Sequence, residues 1–331
     1  MQPVSIRGDG VAAYCCEHLL RRAGVPVSAE RPSRARVPAI MLSEAAVALI
    51  ADVFGHANLF RDVPRVRSRS VLWGPNAEPV TLPHSAIVVS EEMLLDRLRP
   101  AFEPESIAAQ PAWHVYASRP LPPESRLEGF GTRVARAHAV RLRAGRGPGC
   151  WAESTGDGWL FLVGGSDGTG WLLSIGGPAA STLERSRLVV DQIADLGEAS
   201  GEFPSFPRIM TPLCGAGWLA CGTAAIGFDP ICGDGTAHAV REAILAVAVI
   251  RAISAGAPAD PLFAHYQARL IAGFHRHLAS CEPFYRSGGQ SPWWAHELQE
   301  IQRGMSWCSA RLAEFPPFRY RLNGYELEAV A

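Results

Sequence analysis

The stretch SIRGDGVAAYCC, residues 5–16, contains two different motifs. Residues 7–9 are Arg-Gly-Asp, the tripeptide that some cell-adhesion receptors recognise. Gly8, Gly10 and Ala13 have the Gly-x-Gly-x-x-Ala spacing of a dinucleotide-binding turn. The first interpretation requires an exposed loop in a secreted protein, whereas the second requires a strand before the turn and a helix after it.

The residues on either side of these motifs favour the dinucleotide-binding turn. PVSI at residues 3–6 is typical of a short strand, and VAAYCCEHLLRRAG at 11–24 has apolar residues at helical spacing and ends at Gly24. VPVSAER at 25–31 predicts a second strand. A strand, a turn, a helix and a strand within about thirty residues form the βαβ unit in which such a turn binds a dinucleotide.

Each residue of the turn has a distinct predicted role. Gly8 permits the tight turn, Gly10 lets a pyrophosphate approach the backbone, and Ala13 allows close packing of helix and strand. The helix N-terminus supplies unpaired N–H groups and a partial positive charge. Glu30 ends the second strand, where its carboxylate can accept the hydroxyls of an adenosine ribose. Because Asp9 would repel a pyrophosphate, we expect its side chain to point outward.

Composition excludes several classes of function. The chain has 331 residues, is 48% hydrophobic and carries a formal charge of −1, without a block of like charges, so we expect no nucleic acid and no membrane partner. All 31 basic residues are arginines, which rules out lysine chemistry. The eight scattered cysteines lack zinc-site spacing, so we predict no metal. Without a signal peptide pattern, we predict a reduced, cytoplasmic protein.

A second glycine-bearing segment occurs at residues 218–250, WLACGTAAIGFDPICGDGTAHAVREAILAVAVI. It predicts a strand, a loop rich in glycine and proline, and a long apolar helix that begins near Thr236. A glycine-rich turn at a helix N-terminus presents several unpaired N–H groups, which stabilise negative charge on a bound group. The alternative is an ordinary connection between a strand and a helix.

This segment resembles the flavin-contact segment of FAD-dependent monooxygenases of the p-hydroxybenzoate hydroxylase class and of the related flavin-dependent tryptophan halogenases. The matching residues are Gly222-Thr223-Ala224-Ala225, Asp229-Pro230 and Gly233-Asp234-Gly235. With the first turn and the segments 36–55, 87–101, 113–120 and 150–165, the resemblance spans residues 4–255. The loop looks nearest to the flavoproteins that modify a tryptophan during maturation of tryptophylquinone enzymes.

The resemblance implies an α/β fold. It comprises an FAD-binding Rossmann-like domain of the glutathione-reductase type, an inserted, mostly antiparallel β-sheet substrate domain and a helical C-terminal region. The predicted FAD-binding domain is discontinuous and occupies residues 1–58, 85–118 and 205–258. Residues 59–84 and 119–204 then form the substrate domain, and residues 259–331 form a helical cap and an extended tail.

The resemblance also implies a set of site residues. His238, Asp229 and Cys232 are the candidate catalytic residues, although a histidine at such a position is more often a structural hydrogen-bond partner and a free cysteine is more commonly a small apolar filler. The candidate FAD-binding residues are Gly8, Gly10, Ala13, Glu30, Arg36, Gly222, Thr223, Pro230, Gly233, Gly235 and Thr236. Three positions depart from the family pattern: Thr223 replaces an aspartate, Ser90 or Glu91 stands where an arginine is usual, and Tyr116 replaces the aspartate of the returning strand.

The activity implied is oxygenation of an aromatic ring through a flavin C4a-(hydro)peroxide. The substrate would be a small molecule or a tryptophan residue of a protein or peptide, with NAD(P)H or a flavin reductase as electron donor. Halogenation is an alternative, but it is disfavoured because the chain has no lysine and because Asp234 stands at the halide position. A degenerate flavin-binding protein without catalysis is the other alternative.

Overall fold

The computed structural model describes residues 2–76, 78–99, 110–122 and 124–330. Residues 100–109 of the predicted range 85–118, together with positions 77 and 123, therefore lie outside the described residues.

The described residues form eighteen strands and eight α-helices. The strands are β1 Val4–Arg7, β2 Val27–Glu30, β3 Ile40–Ser43, β4 Arg65–Leu72, β5 Val80–Val89, β6 Trp113–Tyr116, β7 Arg126–Gly129, β8 Val134–Leu142, β9 Gly149–Thr155, β10 Gly158–Gly164, β11 Thr169–Gly176, β12 Ile193–Pro204, β13 Arg208–Thr211, β14 Cys214–Gly215, β15 Trp218–Ala220, β16 Ile226–Gly227, β17 Tyr320–Asn323 and β18 Glu326–Ala329. The helices are α1 Val11–Arg22, α2 Glu44–Phe54, α3 Glu91–Leu98, α4 Ala179–Leu183, α5 Gly222–Ala225, α6 Gly235–Ser254, α7 Ala259–Ser287 and α8 Pro292–Leu312.

The first sheet contains the predicted βαβ unit. Its strand order is β14-β15-β6-β1-β2, and β1 pairs in parallel with both β2 and β6. The connection between β1 and β2 is α1, as the spacing of apolar residues predicts. Val4, Ile6 and Val27 are fully buried, because a parallel sheet is covered on both faces.

The second sheet is larger and mostly antiparallel. Its order is β12-β8-β11-β10-β9-β4-β5-β3, and the parallel pair within it is β4 with β9. Ile40 of β3 lies opposite Val89 of β5 in this sheet, although both positions belong to the predicted FAD-binding ranges. The α/β fold class with an inserted, mostly antiparallel sheet is confirmed, and the division into domains stays a prediction.

Helix α8 contacts the large sheet through Trp294. Trp294 of α8 is buried, packs edge-on against Trp73 with ring centroids 5.8 Å apart, and donates its indole N–H to the carbonyl of Thr155. The extended tail predicted after α8 is instead the β17–β18 hairpin. Its turn residue Gly324 has φ 58°, a value that hairpin turns require and that glycine adopts readily. No helix among the described residues is long and apolar enough to cross a bilayer.

Candidate cofactor and active site

Gly8 makes the first turn tight. Its φ is 154°, and a Cβ atom at this position would lie 2.9 Å from the Cβ of Ala117. Its N–H donates to the carbonyl of Glu30 at 2.9 Å, so the turn is held against the ends of two neighbouring strands. A larger residue at position 8 would separate these strands, because 2.9 Å is well inside van der Waals contact.

Gly10, in contrast, is not required by the fold. It is the N-cap of α1 with φ −140°, an extended conformation that any residue adopts. A Cβ atom here would meet only Arg34 Nη2 at 3.4 Å and Glu91 Oε1 at 3.9 Å among the described atoms. The absence of a side chain leaves the first-turn N–H groups of α1 accessible, as binding of a phosphate at a helix N-terminus needs.

Asp9 does not point outward, so that expectation is wrong. Its side chain is only 7% exposed, and Oδ2 lies 2.7 Å from Nη2 of Arg36. Arg36 also donates from Nη1 to the Asp9 carbonyl at 2.9 Å. The predicted cofactor-binding residue Arg36 therefore lies at the glycine turn, where it neutralises the carboxylate that would repel a pyrophosphate.

Arg34 is a residue at this turn that the sequence interpretation missed. Its Nη2 donates to the Asp9 carbonyl at 2.7 Å, and its Nη1 donates to Glu91 Oε2 at 2.8 Å. Where an arginine is usual near position 90, this chain has Glu91, and the guanidinium comes from Arg34 on the opposite segment. The signal was the arginine-rich run RPSRAR at residues 31–36.

Two other predicted residues lie where the βαβ unit places them. Glu30 is at the end of β2, its side chain is 59% exposed, and it pairs with Arg7 at 3.1 Å. Ala13 is 1% exposed within α1, where its small side chain permits close helix packing. Their roles toward a cofactor stay predictions.

The second turn lies beside the first, although the two are more than two hundred positions apart. Gly222 has φ 57°, and a Cβ atom there would lie 2.7 Å from the Cβ of Ala12 in α1. Thr223 is exposed, and its hydroxyl donates to the carbonyl of Ala117 at 3.3 Å. Ala117 therefore contacts both turns, since it also packs against Gly8.

Helix α1, which follows the first turn, packs against α6, which begins at Gly235 beyond the second turn, and the contacts lie in the first half of each helix. Cys15 Sγ of α1 approaches the carbonyl of Val240 in α6 at 4.0 Å, and Cys16 Sγ approaches that of Ala243 at 3.9 Å. The positive ends of both helix dipoles are therefore close to one another. An elongated anionic group could contact both ends.

The N-terminus of α6 also lacks a side-chain cap. Asp234 is the N-cap residue, but its carboxylate pairs with Arg241 at 3.0 Å instead of accepting from a described N–H group of the first turn. Gly233 has φ 66°, which lets the chain turn sharply after the short 3₁₀ helix Pro230–Cys232. The N–H groups of Gly235 and Thr236 belong to the uncapped first turn.

Comparisons with known proteins are informative at the level of structure. No family model matches the chain, and no curated protein matches its sequence. The peptidyl tryptophan dihydroxylase QhpG, essential for tryptophylquinone cofactor biogenesis, superposes with a TM-score of 0.71 at 18% identity over 99% of this chain and 86% of that chain. The myxobacterial chondrochloren halogenase CndH gives 0.74 at 18% identity over 94% and 90%.

A third structure extends the comparison to a flavin complex. A single-residue variant of HpxO from Klebsiella pneumoniae, complexed with FAD, gives a TM-score of 0.64 at 14% identity over 96% of this chain and 100% of that chain. The chain has the fold of the flavin-dependent hydroxylases and halogenases. The fold that the sequence resemblance implies is thereby confirmed.

Within this flavoenzyme fold, Asp229 is held in the interior. Its Oδ2 lies 3.0 Å from Arg133 Nη2 and accepts the hydroxyl of Tyr285 at 2.9 Å. Its Oδ1 accepts the N–H of Ile231 at 2.9 Å. Asp229 is 1% exposed and both of its oxygens have partners, which supports a role in holding the loop, and its predicted catalytic role stays a prediction.

His238 and Cys232 line a cavity of about 740 Å³ between α6, α7 and the 226–234 loop. The ring of His238 stacks on Phe228 with centroids 4.3 Å apart. Burial lowers the pKa of His238 below its ordinary value, so the ring is neutral near pH 7 and has a free basic nitrogen to offer. The catalytic roles of both residues stay predictions.

Glu242 is a buried carboxyl group directly behind the second turn. Its Oε2 accepts the N–H of Gly222 at 2.7 Å. Burial raises its pKa to about 8, and this hydrogen bond only partly opposes the shift. Glu242 lies within the apolar run of α6, and nothing in its spacing indicated that it contacts Gly222.

One group of metal-type donors occurs among the described residues, although no metal was predicted. The donor atoms of Cys232, His277 and Cys281 lie within 4.8 Å of one another. The Asp229 N–H donates to Nε2 of His277 at 2.9 Å, which occupies the lone pair that a metal would need. The prediction that the chain has no metal site stays a prediction.

Proposed function

We propose that the chain binds FAD and is a flavin-dependent monooxygenase-like oxidoreductase that oxygenates an aromatic ring. The observation that carries the proposal is the position of the two glycine turns. Ala117 contacts the first turn at Gly8 and the second at Gly222 and Thr223. Helices α1 and α6, whose N-termini both lack side-chain caps, pack against each other through their first halves. Such a pair of sites suits a long ligand with a pyrophosphate and a ring that becomes anionic.

Successive parts of the chain match successive parts of an FAD molecule. Gly8, Gly10 and the N-terminus of α1 would hold the pyrophosphate, and the exposed Glu30 would hold the ribose hydroxyls. Thr223 would contact the ribitol chain, with its hydroxyl oxygen as acceptor, since its proton is donated to Ala117. The ring would lie against the loop of Pro230, Gly233, Gly235 and Thr236. When bound, the flavin supplies the oxygen-activating chemistry.

The residues of the chain would orient the flavin, stabilise negative charge on it and keep water out of the reaction site. The first-turn N–H groups of α6 would stabilise negative charge on a bound ring by an amount on the order of 1 kcal/mol. Arg133 and Tyr285 hold Asp229, and through it the loop that approaches the ring. The large sheet would cover the reactive side of the flavin ring, and the neutral ring of His238 could accept a proton from a substrate in the cavity.

For the substrate we propose an aromatic group, either a small molecule or a tryptophan residue of a protein or peptide. The match to a peptidyl tryptophan dihydroxylase supports the second. The electron donor would be NAD(P)H or a partner flavin reductase. Structures of halogenases also match, but the chain has no lysine, and Asp234 would repel a halide, so we place halogenation second.

Replacing Gly10 with alanine tests the cofactor proposal. The fold accommodates a Cβ at this position, so we expect stability to stay close to that of the wild type. A bound pyrophosphate would lose its approach to the backbone, so we expect the Kd for FAD to rise at least about tenfold, or about 1.4 kcal/mol. Titration of the flavin-free protein with FAD, followed by flavin fluorescence and absorbance, measures the change in Kd.

Gly147→Ala is the matched control. No described atom would lie within 4 Å of its Cβ, and it is remote in sequence from both turns, so FAD binding should be unaltered. Wild-type protein that takes up no FAD would refute the cofactor proposal. Equal affinity of wild type and Gly10→Ala would refute the placement of the pyrophosphate.

The reaction itself is tested by supplying reduced flavin and oxygen with two substrates, a small phenol and a tryptophan-containing peptide. We expect a product that gains oxygen from O₂ and is independent of added bromide or chloride. A halide-dependent product would favour the halogenase alternative. FAD binding without any product from either substrate class would favour the degenerate flavoprotein.

A further inference from the structure

Two cysteines meet where the 3₁₀ helix Pro230–Cys232 contacts α7. Cys232 Sγ and Cys281 Sγ are 3.4 Å apart, although the residues are 49 positions apart in the chain. The two sulfur atoms are in van der Waals contact, so rotation of the side chains can bring them to bonding distance. A bond between them would link the loop that follows the second glycine turn to a long, well-packed helix.

Access to the two sulfur atoms is unequal. All eight cysteines are within the described residues, and Cys232 is the one that is not buried. Cys232 also lines the 740 Å³ cavity, whereas Cys281 is fully buried behind it. A small oxidant that enters the cavity therefore reaches Cys232 first, with Cys281 in position to attack it.

A metal site is the competing interpretation of the same atoms. His277 Nε2 lies 3.4 Å from Cys281 Sγ, so three donors are close together. However, the buried Asp229 N–H already donates to Nε2 at 2.9 Å. A cation bound there would remove this hydrogen bond and leave an unpaired buried N–H group facing a positive charge, which is unfavourable. The geometry therefore favours a bond between the sulfur atoms.

We propose that Cys232 and Cys281 are a redox-active pair that hydrogen peroxide converts reversibly to a disulfide. Cys232 sulfur attacks one peroxide oxygen, the O–O bond breaks, and a sulfenic acid and one water form. Cys281 sulfur then attacks Cys232 sulfur, the S–O bond breaks, and the hydroxide leaves with the Cys281 proton as a second water. The two thiols lose two electrons and two protons, and a dithiol reductant reverses the change.

The disulfide would restrict the loop that carries Gly233 and Gly235. Under the proposed function, on which only this step depends, that loop borders the flavin ring, and peroxide is the by-product that an oxygen-activating site releases when no substrate is oxygenated. The disulfide would then form when the flavin site releases peroxide without oxygenating a substrate, and it would form next to that site.

The test uses the full chain, fully reduced and then treated with hydrogen peroxide. Free thiols are alkylated under denaturing conditions, and the protein is digested for mass spectrometry. We expect a loss of two hydrogen masses per chain and one cross-linked peptide pair joining residues 232 and 281. Dithiothreitol should restore both thiols. Because the peroxide is added, the result does not depend on whether the chain binds FAD.

The chain contains its own matched control. Cys16 and Cys221 also have adjacent sulfur atoms, 3.9 Å apart, but both are fully buried. We expect this pair to stay reduced at peroxide concentrations that convert the first pair. In Cys232→Ser all remaining thiols should stay alkylatable, whereas in Cys281→Ser Cys232 should be oxidised without a cross-link. Cys232→Ser at the more exposed site keeps the test valid if Cys281→Ser does not fold.

Three outcomes would overturn the proposal. The first is wild-type Cys232 that is oxidised to sulfinic acid with no cross-link to Cys281. The second is a cross-link between Cys16 and Cys221 in equal yield, which would mean that proximity and not access decides. The third is one tightly bound zinc ion per chain that protects both thiols, which would establish the metal site instead.

Discussion

Replacement of Arg133 by methionine is expected to lower the free energy of unfolding by about 3–5 kcal/mol. The Arg133 side chain is fully buried, and it pairs with the equally buried Asp229 and Glu297. Its guanidinium also lies 4.4 Å from the ring centroid of Tyr285. Methionine would fill much of the volume but would leave two buried carboxyl groups without a counter-charge. Urea unfolding at pH 7 measures the loss as a lower midpoint.

Arg126→Met is the control for this prediction. Arg126 pairs with Glu128 at 2.9 Å, but its side chain is 76% exposed, and exposed ion pairs contribute about 0–1 kcal/mol. A change of less than 1 kcal/mol in Arg133→Met would mean that the buried cluster is solvated or that the two carboxyl groups are neutral without it.

We also expect Arg133→Met to weaken FAD binding, because Asp229 would no longer hold the loop.

Replacement of Glu242 by glutamine is expected to remove a large pH-dependent loss of stability. Burial raises the pKa of this carboxyl group from 4.5 to about 8 in the folded chain. Below pH 4.5 it is protonated in both states and costs nothing. Between pH 4.5 and 8 the unfolded chain loses the proton while the folded chain keeps it, so stability falls as pH rises, by up to about 5 kcal/mol, and then levels off.

The glutamine variant keeps an oxygen that accepts the N–H of Gly222, but it cannot ionise. We therefore expect its stability to equal that of the wild type below about pH 4, to exceed it increasingly between pH 4.5 and 8, and to keep a constant lead above pH 8. Urea unfolding of both proteins across this range gives the difference directly, because all other groups cancel. Glu184→Gln, at an exposed position, should stay parallel to the wild type. Parallel curves for Glu242→Gln would show that Glu242 ionises freely in the folded chain.

The parts of the fold that the sequence predicted are those coded by neighbouring residues. The unit of β1, α1 and β2 followed from the glycine spacing at residues 8–13 and from apolar periodicity over the next twenty positions. The long helix α6 followed from its apolar run in the same way. The β17–β18 hairpin was not predicted. The segment contains Asn323-Gly324, a dipeptide typical of turns, but its proline-rich start is typical of an extended tail.

The features that escaped prediction are contacts between distant segments. The pairing of β3 with β5 in the large sheet depends on which edge is open, and a four-residue strand does not encode that. Arg34 contacts the first turn directly at the Asp9 carbonyl and also pairs with Glu91, and Cys232 meets Cys281 across a helix interface. Asp229 occupies a motif position typical of a loop, and only the folded chain shows that Arg133 buries it.

The methyl group of Ala117 has an evolutionary consequence. It occupies the space beside Gly8, its own carbonyl accepts from Thr223, and Ala12 occupies the space beside Gly222. The space between the two turns therefore has a fixed volume, and a larger side chain at one of these positions requires a smaller one at a neighbouring position. In an alignment of homologues, we expect residue sizes at these positions to covary, so that lineages change them as a set or not at all.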